Sequence, residues 1–332
     1  MKDRLELPSN VQWASFGQTT NPHVHVDQVL SNIIQGYRPN DRVWDRIAPI
    51  VPVGKQSDFY VVHSRADAVR RETAIRAPGT PARTVTRSIG SATFFALNYA
   101  LKMSTTIEDE ANADPIYRQE LLNGNVTHLV DLLDLDMDAR VATLSTTVAN
   151  VGSGAGIASG WTTDNADPIG DLHTAIEVVE DSTGKRPNRI AMGSQAWRTL
   201  RRHADIRNLI LGSNNGGGYP GAAAVANLFD VEEIIVGGTY ENTANEAQPE
   251  VLAPIWADHV VVYHTHPNIT RDTPTAFKSF RWSAPGLANM QVERHPFDSK
   301  IKAQEIEVGY YQDERVTGSE YAYVLRAVNS ST

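Results

Sequence analysis

The chain has 332 residues, 41% hydrophobic and 21% charged, as is typical of a folded globular protein, and it has no cysteine, which excludes disulfides, thiolate metal sites and cysteine nucleophiles. Its formal net charge of −9 argues against a protein that binds nucleic acid tightly through the phosphates. The sequence has no run of about 18 apolar residues and no apolar segment behind its first charges, so neither a membrane-spanning helix nor a secretory signal is expected.

The first 50 residues are predicted to form an extended N-terminal arm, because periodic apolar positions are few and turn-forming residues are frequent. One short helix is expected within this arm, around residues 26–34. The arm also carries the first of two His-x-His pairs, His23 and His25.

Residues 51–103 are predicted to form a long β-hairpin. Its outgoing half contains "VPVGKQSDFYVV" and its return "ARTVTRSIGSATFFALNYALKMS", and both halves are rich in β-branched and aromatic residues. A turn is expected at "PGTP" (78–81), and a bulge is expected near Gly90, where the alternation breaks. With about 16 residues per side the hairpin would extend on the order of 50 Å, and such a ribbon is marginal alone in water. We therefore expect it to lie on another surface.

Two adjacent segments carry charges of opposite sign. From residue 65 to residue 87, six arginines stand against two acids, a net charge of +4. From residue 105 to residue 138, nine acids stand against one arginine, a net charge of −8. A basic, strand-prone segment therefore leads directly into an acidic, helical one.

Residues 114–149 have the clearest helical pattern. Asp114 is a good N-cap, Pro115 is a good first helical residue, and Gly124 is a candidate for a bend. Apolar residues recur every three or four positions and predict one buried face, made of Leu122, Val126, Leu129, Leu133, Met137, Val141, Leu144 and Val148. Another face is acidic and is interpreted as a solvated or partner-facing surface, made of Asp131, Asp134 and Asp138.

The Gly/Ser/Ala-rich stretch "VGSGAGIASGWTTDNADP" is interpreted as a connector at a domain boundary. Residues 168–270 then predict an α/β unit. Its expected elements are a helix closed by Gly184, the strand "NRIAM", a helix capped by Ser194, the helix "AAAVANLF", and the strands "VEEIIVG" and "HVVVYHTH". From residue 271 the chain is β-rich again, in "FKSFRW", "ANMQVERH", "KIKAQEIEVGYY" and "YAYVLRAV".

Residues able to support catalysis are sparse. The pairs His23/His25 and His264/His266 have a spacing that places two imidazoles on one strand face, where they could chelate zinc or nickel. A metal-dependent enzyme is therefore one alternative, but no H-E-x-x-H or similar motif supplies a third ligand or a base. The stretch "GSNNGGGYPG" lacks the lysine and hydroxyl residue of a phosphate-binding loop and is interpreted as a flexible surface loop. We expect no active site and no cofactor.

Taken in order, these segments resemble the major capsid proteins of tailed bacteriophages, which have the HK-ninety-seven-type fold. Similar phrases include "IAPIVPVGKQSDFY", "RPNRIAMGSQAWRTLRRHADI", "LFDVEEIIVGGTYENTANE" and the closing "IEVGYYQDERVTGSEYAYVL". The resemblance covers nearly the whole chain and implies an α+β fold. It implies an N-terminal arm (1–50), an extended E-loop hairpin with its base (51–103), a P domain with a long spine helix (104–160), an α/β A domain (161–270), and a return to the P-domain strands (271–332), with the last strand a candidate for the A domain.

The resemblance also implies a function. Such proteins form the pentamers and hexamers of an icosahedral shell around double-stranded DNA, in a virion that is assembled in the host cytoplasm. The implied partners are other copies of the chain, a portal protein and non-specifically contacted DNA, with no membrane. The resemblance implies a separate scaffold protein or none, and a decoration protein is present in some shells of this fold and absent from others. The alternative is an encapsulin-type nanocompartment, which shares the fold and encloses protein cargo; the length and the N-terminal arm favour the phage shell.

In this fold the E-loop lies across the P domain of a neighbouring subunit. The resemblance therefore implies that a basic loop contacts an acidic surface of the next copy. The expected inter-subunit residues are Arg70, Arg71, Arg76 and Arg83 on the loop and Glu108, Asp109, Glu110, Asp131, Asp134 and Asp138 on the neighbour. Residues 56–101 contain no lysine, so the lysine–asparagine crosslink known in this fold is not expected.

Overall fold

The computed structural model of the chain describes residues 25–26, 42–63, 71, 74–86, 88–112, 117–156, 160–163, 165–212, 218–245, 247–283 and 290–329. The helix expected around residues 26–34 lies outside these ranges except for Val26, which is in a strand. The cap expected at Asp114 and Pro115 also lies outside them. Within these ranges, no helix is both long and apolar enough to span a membrane.

The larger β-sheet is built around one long strand. Its six strands are β1 (His25–Val26), β2 (Ile50–Val53), β5 (Leu97–Thr106), β12 (Phe277–Trp282), β13 (Gln291–Arg294) and β14 (Ala303–Val316). Along one edge of β14 lie β13 and then β12, both antiparallel to it. Along its other edge lies β5, antiparallel from Ala303↔Thr106 to Gln312↔Leu97. The β-rich pattern predicted after residue 271 is therefore confirmed.

A long helix packs on this sheet. The helices of this region are α1 (Trp44–Ile47), α2 (Ile107–Asn112), α3 (Tyr117–Thr146) and α4 (Val148–Val151). Helix α3 continues through Gly124 without a break. Five residues of its predicted apolar stripe are at most 3% exposed, which confirms the buried face, namely Val126, Leu129, Leu133, Met137 and Val141.

The second sheet has five strands in the order β6 (Gly154–Gly156), β15 (Ala322–Arg326), β11 (Val260–Tyr263), β7 (Arg189–Gly193) and β8 (Glu233–Gly237). Its helices are α5 (Pro168–Thr183), α6 (Ser194–Arg202), α7 (Ala204–Leu211) and α8 (Ala222–Leu228). A small hairpin, β9 (Tyr240–Asn242) with β10 (Leu252–Pro254), follows β8. The Gly-rich connector thus supplies a strand of this sheet, and the last strand of the chain lies beside it.

Both faces of the second sheet are buried. Successive side chains of a strand point to opposite faces. In β7, Ile190 and Met192 pack into the core formed with α5 to α8, whereas Ala191 packs into the core that contains α3. In β11, Val261 points the same way as Ala191. Helix α3 therefore shares one core with both large sheets.

Of the two helix ends predicted in this α/β unit, the one at Gly184 is confirmed and the one at Ser194 is not. Asp167 caps α5 by accepting a hydrogen bond from the Gly170 N–H at 2.8 Å, and Gly184 ends it in the left-handed region at φ 67°. The prediction that Ser194 caps α6 is wrong. The N-cap is Gly193, and the buried Ser194 Oγ has no hydrogen-bond partner among the residues that the structure describes.

The predicted hairpin is real but shorter than expected. Its strands, β3 (Ser57–His63) and β4 (Ile89–Phe95), form seven consecutive pairs, so the bulge expected near Gly90 is absent. The regular strand is interrupted instead at the buried Ala96, which separates β4 from β5. Its N–H donates a hydrogen bond to the Gln56 carbonyl at 2.8 Å. Beyond this point β5 leaves the hairpin and joins the six-stranded sheet, where Tyr99 and Met103 pack against the core that contains α3.

Candidate inter-subunit surfaces

The hairpin is fixed to the six-stranded sheet by a small apolar core at its base. Phe94 of β4 stacks on Phe280 of β12 with ring centroids 4.6 Å apart, and Tyr60 of β3 lies 5.2 Å from the same ring. Val51 and Val53 of β2 complete this core. Each aromatic pair contributes about 0.5–1.5 kcal/mol beyond its burial. The base of the hairpin is therefore packed as a protein interior.

Two carboxylates next to the hairpin base, one in β14 and one before β12, accept hydrogen bonds from the backbone of both hairpin strands. Asp313 Oδ2 accepts a hydrogen bond from the Phe95 N–H at 2.8 Å. Asp272 Oδ1 accepts one from the Val61 N–H at 3.3 Å. Hydrogen bonds to ionised acceptors are stronger than bonds between neutral groups. These two bonds therefore fix the orientation of the hairpin strands, which the apolar core alone does not.

Away from its base, the hairpin exposes apolar side chains. On the outer face of the ladder, Phe59 is 62% exposed, and Ile89 and Phe95 are at least half exposed. In residues 74–86, which we call the loop segment, Ile75 is 92% exposed and Val85 is 65% exposed. Clustered exposed apolar residues mark interaction sites rather than ordinary solvent-facing surface. These side chains are available to another molecule.

The loop segment is extended and basic. Its predicted turn is confirmed, because the Thr80 N–H donates to the Ala77 carbonyl at 3.2 Å and Gly79 has φ 79°. Every residue of the segment is exposed, and none of them belongs to a strand. Its arginines, Arg76 and Arg83, and the preceding Arg71 are exposed; Arg70 lies outside the described residues.

The expected acidic partners divide into two groups, of which the first is on the surface. Glu108 and Asp109 are exposed on α2, where the Asp109 N–H is held by Thr106 Oγ1 at 3.2 Å. Glu110 lies in the same helix, although its side chain is outside the described part of the structure. Asp131 of α3 is half-buried.

The second group corrects the prediction of an acidic helix face. Asp138 is fully buried, where its carboxylate accepts hydrogen bonds from the Trp256 indole at 3.1 Å and the Val43 N–H at 3.3 Å. Burial raises the pKa of Asp138, and burial also raises the pKa of Asp134 to about 6, against the opposing effect of Arg281. Both aspartates point into their own subunit. Helix α3 is packed against both large sheets, so more of its surface is buried than the apolar stripe alone.

A polar network between α3 and the sheet was not predicted from the sequence. Arg140 Nη1 contacts both carboxylate oxygens of Glu314, at 2.8 and 2.7 Å, and Arg140 Nη2 donates to the Tyr310 hydroxyl at 2.7 Å. The guanidinium also lies 3.7 Å from the centre of the Tyr99 ring. The one local signal was the spacing of four residues between Asp136 and Arg140, which form an ion pair at 2.9 Å.

The second His-x-His pair does not converge on one point. His264 Nδ1 lies 3.0 Å from the Arg186 carbonyl, and His266 Nδ1 lies 3.0 Å from the Asn268 carbonyl. Both residues follow the end of β11 rather than lying within it. Among the described residues, no group of three or more His, Asp or Glu side chains is arranged to hold a metal ion. His23 is outside them.

Comparison with known proteins identifies the fold. No family model matches the chain. Two curated proteins, both named major capsid protein, are similar to it. The protein of Pseudomonas phage JBD67 is 26% identical over 79% of this chain and 85% of its own length. The protein of Burkholderia phage BcepMu is 24% identical over 64% of this chain and 68% of its own.

Solved structures agree with these relatives. A phage-related protein from Bordetella bronchiseptica RB50 superposes with a TM-score of 0.72, at 20% identity, over 92% of this chain and 99% of that one. The subunit of the mature capsid of bacteriophage PhiM1 superposes with a TM-score of 0.54, at 11% identity, over 87% and 88% of the two chains. Because both curated relatives come from phages, the encapsulin-type alternative is not favoured. The resemblance read from the sequence is thus confirmed, and the chain is a homologue of phage major capsid proteins with their mixed α+β fold.

Proposed function

We propose that this protein is a phage major capsid protein, a structural protein whose copies assemble as pentamers and hexamers into an icosahedral shell around double-stranded DNA. Its location is then the virion, after assembly in the host cytoplasm. The observation that carries this proposal is the loop segment. It exposes both Ile75 and Val85, and its base is packed firmly on the sheet by Phe94. An extension of this kind needs a neighbouring molecule to bury it.

The same proposal assigns regions and partners. Residues 51–103 serve as the E-loop and its base, 104–160 and 271–332 as the P domain, 161–270 as the A domain, and 1–50 as the N-terminal arm. The further partners are a separate scaffold protein, a portal protein and a decoration protein. The packaged DNA is contacted without sequence preference, which suits a chain of net charge −9, because the shell confines DNA rather than gripping it.

Charge attraction between copies supports the contact. We propose that the loop arginines Arg70, Arg71, Arg76 and Arg83 face Glu108, Asp109, Glu110 and Asp131 of the adjacent subunit. The buried Asp134 and Asp138 are not part of this contact. A single exposed ion pair contributes about 0–1 kcal/mol. The effect therefore comes from repetition of the contact around the shell.

The test is assembly of the purified full chain, followed by negative-stain electron microscopy and sedimentation, alone and with the scaffold of its own phage. We expect closed shells or rings with fivefold and sixfold outlines. A chain that stays monomeric under both conditions overturns the proposed function. For the contact, the double variant R76E/R83E is expected to remain folded by circular dichroism but to form no shells. The charge-preserving R76K/R83K variant is the matched control, and normal shells from R76E/R83E would exclude the charge contact.

A further inference from the structure

Helices α6 and α7 carry concentrated positive charge in a chain that is acidic as a whole. The ten residues from 198 to 207 contain four arginines and one acid, a net charge of +3, whereas the whole chain has a net charge of −9. We call the four residues the arginine cluster: Arg198, Arg201, Arg202 and Arg207. The first three follow each other at i, i+3 and i+4 on α6 and therefore lie on one face of that helix.

The arginine cluster has no acidic partner within the described part of the subunit. Arginines elsewhere in the chain are paired, for example Arg140 with Glu314 and Arg315 with Asp313. None of the four arginines of the cluster forms an ion pair with a described carboxylate. The one acid among them, Asp205, lies 3.6 Å from His203 Nδ1 instead. The positive charges of the cluster are therefore available to another molecule.

Neutral groups of the same unit orient these arginines. Arg198 Nε donates a hydrogen bond to the Ser194 carbonyl at 3.2 Å. The guanidinium carbons of Arg201 and Arg207 lie 5.1 and 5.6 Å from the centre of the Tyr219 ring, and Tyr219 is itself half exposed. Because a carbonyl and an aromatic ring carry no net charge, these contacts hold the guanidinium groups without neutralising them.

Helix stability alone does not account for the cluster. Arg201 and Arg202 are in the last turn of α6, where a positive charge interacts favourably with the helix dipole. Arg198 lies in the middle of that helix, outside the last turn. Arg207 lies in the first half of α7, nearer to the end at which a positive charge is unfavourable. These two arginines are better explained by a negatively charged partner.

A cavity of about 520 Å³ adjoins the cluster at the start of α7, and its lining includes Arg202, His203 and the loop at 161–163. The His203 side chain is only 8% exposed, and its Nδ1 has no hydrogen-bond partner among the described residues. No side chain caps α7, and the Arg207 N–H is the one that bonds to the His203 carbonyl, at 3.1 Å. The N–H groups of residues 204–206 therefore have no acceptor within the helix. The cavity thus offers an anion a guanidinium group and the positive end of a helix.

We propose that the arginine cluster and the adjoining cavity bind backbone phosphates of the packaged double-stranded DNA. This inference rests on the proposed function and assigns the DNA contact to one surface of the chain. Arginine binds phosphate through two parallel hydrogen bonds, and a helix N-terminus binds it through backbone N–H groups. Contacts to phosphates carry no sequence information, so the contact is independent of DNA sequence.

The spacing of the charges matches a DNA duplex. From Arg198 to Arg202 the axis of α6 rises by about 6 Å, at about 1.5 Å per residue. A duplex carries one phosphate charge per about 1.7 Å of its axis, so the same length presents about three to four phosphates to three arginines. An acidic surface of a neighbouring copy is the alternative occupant, and it would need as many unpaired carboxylates within that length. The arginine cluster then faces the interior of the shell.

The first test measures DNA binding by the purified full-length chain before assembly. Fluorescence anisotropy with a short labelled duplex gives the association constant at several salt concentrations. Each lost phosphate contact makes the slope of log K against log [salt] shallower by about 0.9, so we expect R198Q/R202Q to reduce the slope by about 2. The control K300Q/R326Q removes two exposed positive charges elsewhere and should keep the wild-type slope. Equal slopes for the two variants, with both folded by circular dichroism, would overturn the inference.

The second test locates the contact in the assembled particle. A benzophenone amino acid replaces Tyr219, which lies beside Arg201 and Arg207, in DNA-filled particles. After irradiation, a subunit that is covalently bound to DNA and released by nuclease supports the inference. Cross-linking to a segment of a neighbouring copy, with no DNA adduct, overturns it and leaves the proposed function intact, because shells have formed. Absence of any assembly from unmodified chains counts against the proposed function itself.

Discussion

The indole Nε1 of Trp256 donates a hydrogen bond of 3.1 Å to Oδ2 of Asp138, and this bond connects the loop before β11 to the middle of the long helix. The other oxygen of the same carboxylate accepts from the Val43 N–H at 3.3 Å. One buried side chain thus satisfies donors from two distant parts of the chain. Asp138 is therefore a structural residue of the subunit.

Replacement of Asp138 by alanine should destabilise the subunit strongly. It leaves the buried N–H groups of Trp256 and Val43 without acceptors, each at a cost of about 1–3 kcal/mol. Asp138→Asn keeps one acceptor oxygen and can satisfy only one of the two donors, so it serves as the control and should lose less stability than Asp138→Ala. Urea unfolding followed by tryptophan fluorescence measures both. Equal stability of Asp138→Ala and the wild type would contradict this role.

The Arg140–Glu314 pair should show strong coupling. Removal of one partner, as in Arg140→Met, leaves Glu314 buried without its counter-charge, and we expect a loss of about 3–5 kcal/mol. The double variant R140M/E314M should lose less than the sum of the two single variants. Asp136→Ala, which removes only the exposed partner of Arg140, should change the free energy of unfolding by about 0–1 kcal/mol. Additive single effects in this double-mutant cycle would count against the coupling.

Phe94 and Phe95 are adjacent residues with opposite roles. Phe94→Ala removes the ring that stacks on Phe280 and should cost about 3–5 kcal/mol, mainly by loosening the base of the hairpin. Phe95→Ala, on the exposed outer face, should leave subunit stability nearly unchanged and reduce shell formation. Limited proteolysis of the unassembled subunit reports the first effect, and sedimentation reports the second. Faster cleavage within the hairpin of Phe95→Ala than of Phe94→Ala would reverse the assignment.

Titration of Asp134 should make the subunit less stable as pH rises. Burial raises the folded-state pKa of this carboxyl from 3.8 to about 6, with Arg281 and Arg42 opposing the shift and Asp131 and Asp45 adding to it. The folded state then binds more protons than the unfolded one between these values, so stability falls between pH 4 and pH 6, by about 3 kcal/mol. Asp138 and Glu314, whose pKa values burial also raises, contribute in the same direction.

Comparison with Asp134→Asn isolates the contribution of this one group. The variant lacks the titrating carboxyl but keeps Asp138 and Glu314. Its free energy of unfolding, measured in urea at several pH values between 4 and 7, should therefore vary less with pH than that of the wild type. Identical pH profiles of the two proteins would show that Asp134 has an unshifted pKa.

Local sequence patterns predicted much of this fold. They failed where the burial of a residue or the sheet that a strand joins depends on residues far away in the sequence. The stripe from Val126 to Val141 and the end of α5 at Gly184 follow from spacing and backbone preference, and both are confirmed. The acidic face of α3 was misread at Asp138, because its partners Trp256 and Val43 lie far away in the sequence. The break at Ala96 was also missed. Strand propensity cannot tell which sheet a strand will join, so the transfer of β5 to the six-stranded sheet was not predicted.

The core shared by α3 and both large sheets has a mechanical consequence. Met137 of the helix, Val308 of β14 and Val261 of β11 lie in one hydrophobic core, so within the described residues packed side chains join the six-stranded sheet to the five-stranded one. The hairpin base is joined through β12 and β14 to this same core. If copies of the chain form a curved shell, as proposed, a shared core of this kind favours curvature that arises at the contacts between subunits rather than by bending within them.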